Sequence, residues 1–155
     1  MRPAALTRPR SAALIPWRPS ALTGVRGCTA LATAVTGYVH ANLYVDGGYR
    51  VIHVVGPAFL LLSSSAFAVA VLLLMGGSLV PRLGAAAVAA GALGGFAMSR
   101  TIGVFGFTER GLQPAPQALI SLISELGALV LVLCWEVMMR RSRPAARIPR
   151  KAAMR

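Results

Sequence analysis

The chain has 155 residues, of which 56% are hydrophobic and only 13% charged, whereas a soluble domain carries about 25% charged residues along amphipathic elements. Val51 to Met75 contains no acid or base except His53, so a membrane span is the simplest account and soluble classes are excluded. The net charge of +12 comes from fifteen arginines and Lys151 against Asp46, Glu109, Glu125 and Glu136. These cations lie in the tails and in short breaks rather than on a folded face or an aromatic platform, so no nucleic-acid partner is expected.

Residues 1–20, with Pro3, Pro9, Pro16 and Pro19 among arginines, read as a disordered basic tail lying near anionic lipid. Four apolar stretches follow, near 27–46, 51–75, 83–107 and 116–139, and they make residues 21–139 one transmembrane domain. The first is the least apolar, carrying Thr29, Thr33, Thr36, His40 and Asn42. Its rival reading is a signal peptide cleaved near Ala30 to Ala34, which would need an unusually long basic leader and a very short apolar core. Asp46-Gly47-Gly48, Gly76-Gly77-Ser78 before Pro81-Arg82, and Gly111 to Pro116 mark the turns. Breaks this short imply antiparallel neighbours. The fold expected is therefore all-α, a four-helix transmembrane bundle with up-down topology, followed by a basic tail over 140–155.

The two tails and the Arg82 break hold thirteen of the cations, and the breaks containing Arg50, Arg100 and Arg110 hold three. The positive-inside rule then puts both termini in the cytoplasm and turns Asp46 and Arg50 to the outer surface, with Tyr38, Tyr44 and Tyr49 as interfacial aromatics. The location expected is a membrane, crossed several times.

Each span has a line of small or polar residues at helical spacing, of which Ala87, Gly91 and Gly95 in the third include a GxxxG step suited to close helix packing. Charge at membrane depth costs at least about 2.5 kcal/mol, so ionisable residues there are paired or functional. Glu125 falls about 14 Å into the fourth span, and Arg100 about 10 Å from the outward end of the third. These depths predict an Arg100 to Glu125 ion pair that His40 joins, with His53 nearer the surface, and so a polar pocket of His40, His53, Arg100 and Glu125. The bland alternative has both histidines bonding Thr, Tyr or backbone groups at the interface. Glu136 precedes Arg140 by four residues, the spacing of a helix-surface pair.

Cys28 and Cys134 fall toward the reducing side and predict no disulfide. There is no CxxC, HExxH, phosphate loop or GxSxG elbow, so the reading leans away from an enzyme. No cofactor or metal is predicted. The histidines offer haem axial ligation from two helices, or a transition metal with Asp46 nearby, as cofactor alternatives. Transport lacks the inverted repeat and broken helix pair it would need.

The segments GYR at 48 to 50, Gly56 with Phe59-Leu60-Leu61-Leu62, and GVFGFTE at 103 to 109 resemble small four-span bacterial integral membrane proteins of uncharacterised function, over roughly residues 40 to 130. The resemblance implies location and span count, with no catalytic residue to carry over. GVFGFTE itself reads as an aromatic helix end meeting the surface, with Glu109 and Arg110 in water. The favoured role is a structural or accessory subunit embedded in the lipid bilayer, packing against itself as a homo-oligomer or against a larger membrane complex through Gly91 and Gly95. The alternative is a small-molecule, proton or redox-cofactor site in the outer half of the bundle.

Overall fold

The computed structural model describes residues 19–142, so both basic tails lie almost wholly outside the described residues. Four helices follow in order: α1 (Pro19–Val45), α2 (Val55–Met75), α3 (Leu79–Arg100) and α4 (Gln117–Arg141). A single 3-10 turn, Tyr49–Val51, lies between α1 and α2, and no strand forms among the described residues. Helices α2, α3 and α4 are each long and apolar enough to cross a membrane. Their outer surfaces agree with that: Leu61, Leu74, Ile123 and Leu133 are all exposed, an arrangement that water would penalise and lipid accepts.

Two apolar clusters close the two ends of the structure. At one end Ala30 of α1, Leu73 of α2, Ala85 of α3, and Val132 and Trp135 of α4 pack together. At the other, Val39 and Leu43 of α1 meet Tyr49 and Val55 at the start of α2. Late residues of one helix thus meet early residues of the next, and successive helices run antiparallel. Helix α1 packs chiefly against α2 and α4, while α3 packs against α4 and α2.

Helix α1 owes its central place to what its polar residues can do inside their own helix. Thr29, Thr33 and Thr36 are fully buried, and their hydroxyls donate to the carbonyls of Val25, Thr29 and Ala32, one turn back. That local bond spends the hydroxyl and leaves the methyl for packing. Thr36 also meets Ser124 of α4 at 3.0 Å, a hydrogen bond that ties α1 to α4. Helix α1 comes close to α2 at Gly37, where a Cβ would stand 3.1 Å from the Ala66 side chain. A larger residue there would push the two helices apart.

The observed boundaries correct the expected ones. Helix α1 begins at Pro19 rather than near residue 27, and α2 begins at Val55 because the chain first makes the Tyr49–Val51 turn. The largest difference is in α3, which starts at Leu79 and ends at Arg100 instead of running to Phe107. Pro81 is tolerated within its first turn, and Gly103 and Gly106 both take positive φ, which an α-helix does not allow. GVFGFTE is therefore no helix end. Val104 and Phe107 exchange backbone hydrogen bonds of 2.8 and 2.9 Å across Phe105 and Gly106. The Glu109 amide then donates to the Ser99 carbonyl at 2.9 Å, folding this loop back over the end of α3.

Arg82, expected in an aqueous break, lies inside the first turn of α3 and is buried. Its Nη1 stands 2.9 Å from Glu136 Oε1, an ion pair without hydrogen-bond alignment, and its guanidinium lies over the Trp135 ring at 5.3 Å. Glu136 thus pairs with Arg82 and not with Arg140, which stands exposed at the end of α4. Removing one member of such a pair strands the other, so Arg82→Met is expected to cost about 2 kcal/mol of stability. Replacing both, with Arg82→Met and Glu136→Leu, is expected to restore most of it. Reversible unfolding in mixed detergent micelles measures the cycle, and two losses that simply add would remove the pair as the cause.

Candidate functional site

A cavity of about 170 Å³ lies at the end of the structure that holds the α1–α2 turn and the α3–α4 loop. Its walls are mostly apolar: Leu43 of α1, Val55, Phe59 and Leu62 of α2, Phe96 of α3, and Val104 and Phe107 of the loop. His40, Ser121 and Glu125 face it from within, and Tyr49, Arg100 and Glu109 line its rim. The sequence expectation of a pocket from His40, His53, Arg100 and Glu125 therefore meets a mixed outcome. His40, Arg100 and Glu125 line one cavity. His53 does not, because it stands exposed in the segment between the 3-10 turn and α2. Asp46 and Arg50 are likewise exposed in the turn, where Asp46 accepts from the Asn42 amide at 2.8 Å.

His40 is buried, and its Nδ1 lies 2.9 Å from the Thr36 carbonyl one turn back. A carbonyl only accepts, so Nδ1 carries the proton and, in the neutral ring, Nε2 is left as an acceptor. Phe59 meets the imidazole edge-on at 5.0 Å and fixes its plane. Glu125 is 1% exposed, with Oε1 accepting the Ser121 hydroxyl from the preceding turn. Among the described residues, neither His40 Nε2 nor Glu125 Oε2 has a protein hydrogen-bond partner. The cavity is where their unused capacity lies.

The predicted Arg100 to Glu125 pair is not formed. Since α3 stops at Arg100, that side chain emerges at the rim, and the returning loop brings Glu109 to 2.8 Å from its Nη1. Nε donates to the Gly111 carbonyl at 3.0 Å, Nη2 to the Gln113 carbonyl and Nη1 also to Ser99 Oγ, while the guanidinium covers the Phe96 ring at 3.6 Å. Arg100 is thereby spent on closing the loop, with its charge matched by Glu109. Glu109 itself is half-buried rather than in water, and it also accepts the Tyr49 hydroxyl.

Tyr49 was expected as an interfacial aromatic, yet it is buried against Phe59 in a parallel stack of 4.9 Å and against Phe107 edge-on at 5.8 Å. Its position depends on Gly56, where a Cβ would sit 2.8 Å from the Tyr49 and Arg50 carbonyl oxygens and would lift the turn off α2. Reasoning from periodicity missed Tyr49, Phe59, Phe96 and Glu109 as members of the site. Of these only Glu109 left a sequence signal, as the acid nearest Arg100 along the chain.

Ala87, Gly91 and Gly95 make no close helix contact among the described residues. All three are exposed, and a Cβ on either glycine would meet nothing within 4 Å. The buried face of α3 is instead Ala85, Val88, Ala89, Ala92 and Ser99. Gly91 and Gly95 border the cavity while also lying on the outer surface, as does Ala58 across from them on α2. These small residues leave a window between α2 and α3 that opens on the apolar exterior. No group of three or more His, Cys, Asp or Glu among the described residues is placed to hold a metal.

No protein family, curated protein or solved structure matches this chain. The functional reading accordingly rests on the cavity and the groups that face it.

Burial first, and then the hydrogen bond to Glu109, push the Tyr49 phenol above its usual range. The folded chain holds that proton more tightly than the unfolded one, so the stabilisation is complete below the ordinary phenol value of about 10 and is lost as pH rises beyond it. An alkaline titration of tyrosinate absorbance is expected to show a late component that Tyr49→Phe deletes. Identical curves for the parent and the variant would contradict the burial of this ring.

Proposed function

We propose that the chain is a four-span protein of the bacterial inner membrane, both termini cytoplasmic, that binds a small lipid-soluble molecule in the cavity between its helices. The observation that carries this reading is a cavity lined by His40 and Glu125, each with one polar atom left without a protein partner among the described residues, and bordered on its apolar side by a glycine window. A molecule dissolved in the bilayer reaches such a site without crossing water, and the apolar walls take up its hydrocarbon. A helix of 27 residues in α1, whose buried threonines bond their own backbone, supports counting it as the fourth span. The distribution of arginines supports the orientation, which puts the cavity in the outer half of the membrane.

A second reading keeps the protein as an accessory subunit that packs on a copy of itself or on a larger complex. The exposure of Ala87, Gly91 and Gly95 favours it, since a smooth face of small residues suits another helix. No reaction is assigned under either reading. Haem ligation by His40 and His53 is not proposed, because His53 stands outside the cavity that His40 lines.

One experiment separates the two. Native mass spectrometry of the protein released from detergent is expected to show a retained small molecule. Gly91→Leu with Gly95→Leu, which places isobutyl groups across the window, is expected to reduce the retained mass severalfold at unchanged subunit number. A loss of oligomer with no bound mass in either protein favours the accessory reading.

A further inference from the structure

The polar chemistry left open in the cavity restricts what it accepts, and this inference rests on the binding role proposed above. We infer that the ligand class is a neutral, lipid-soluble phenol: an aromatic ring bearing a hydroxyl donor and an apolar substituent. The hydroxyl donates to His40 Nε2, the ring lies among Phe59, Phe96 and Phe107, and the substituent leaves through the window beside Gly91 and Gly95.

The argument proceeds by exclusion and then by fit. An anion finds no free cation, because each guanidinium nitrogen of Arg100 is already bonded to Glu109, Ser99, Gly111 or Gln113. A cation would have to shed its hydration against Leu43, Val55 and Leu62 after crossing the apolar window, a penalty that one carboxylate offsets only in part. A purely apolar molecule would leave the His40 Nε2 acceptor without a partner.

What remains is a neutral hydrogen-bond donor. His40 is the specific element, since its Nδ1 is committed to the Thr36 carbonyl and its neutral Nε2 can only accept. The ring follows from the walls and the volume. Phe59 is shared between the edge of His40 and the face of Tyr49, so an aromatic guest extends an existing aromatic cluster. A void of about 150 Å³ holds a benzene, and about 170 Å³ here suits one ring with a hydroxyl. The substituent is left for the window, where the absence of side chains on Gly91 and Gly95 gives it room.

Three probes of nearly equal size test the class on the full chain in detergent, by titration calorimetry: 4-butylphenol, 4-butylanisole and 4-butylcyclohexanol. The phenol is expected to bind about tenfold or more tightly than the anisole, which lacks the donor, and more tightly than the cyclohexanol, which lacks the aromatic ring. In His40→Phe, which keeps a ring of similar size, the preference for the phenol over the anisole is expected to shrink, with circular dichroism checking that the helices persist. Equal binding of phenol and anisole to the parent protein overturns the donor assignment while leaving the cavity a binding site. Equal binding of phenol and cyclohexanol overturns the ring assignment in the same way. If none of the three binds, both the ligand class and the binding role fall together.

Discussion

Polar groups placed among apolar helices must find partners inside the protein, because neither lipid nor the packed interior supplies any, and the structure is organised by that demand. Arg82 at one end reaches Glu136 and the Trp135 ring, and Arg100 at the other reaches Glu109, two loop carbonyls and the Phe96 ring. Each arginine ties α3 to what faces it: α4 in the first case, the α3–α4 loop in the second. Between these ends the buried threonines of α1 bond their own helix and free it to pack against α2 and α4. A charged side chain without such a partner would cost more than the packing around it returns.

Where that demand is left unmet, the cavity appears. His40 and Glu125 each satisfy one atom locally, within their own helix, and present the other to a space lined by aromatic and aliphatic groups. Local satisfaction fixes their orientation without closing the site. The rim is held differently, by a chain of contacts from Phe59 through Tyr49 and Glu109 to Arg100 that joins the α1–α2 turn to the α3–α4 loop. A cross-linked rim, pre-oriented polar atoms and an open side are separate features with separate causes, and together they give a small bundle a site that a fully packed one would lack.

The sequence made the apolar stretches, their turns and the costly residues legible. Helices α2 and α4 came within a few residues of their expected bounds because hydrophobic runs ended by Gly-Gly or Pro need no tertiary information. His40, Arg100 and Glu125 were selectable because an ionisable group inside an apolar run is conspicuous. The pairing of those residues was not legible. Depth along ideal helices matched Arg100 with Glu125, but α3 ends early at glycines with positive φ, and the path of the loop after them decides which carboxylate arrives. Tyr49 and Glu109 left no periodic signal, since both lie in turns.

By itself, then, the amino-acid sequence determined a helical membrane protein, the approximate extent of its helices and a short roster of polar residues that had to be accommodated. Those properties follow from local composition and from the short-range geometry of the backbone. Only the tertiary structure decided that Arg82 joins Glu136, that Arg100 joins Glu109, that His53 stays outside, and that Gly91 and Gly95 border an opening instead of a helix contact. Such outcomes depend on how two turns and a loop return to the helices, and a few ångströms of loop path choose between partners that look equivalent along the chain.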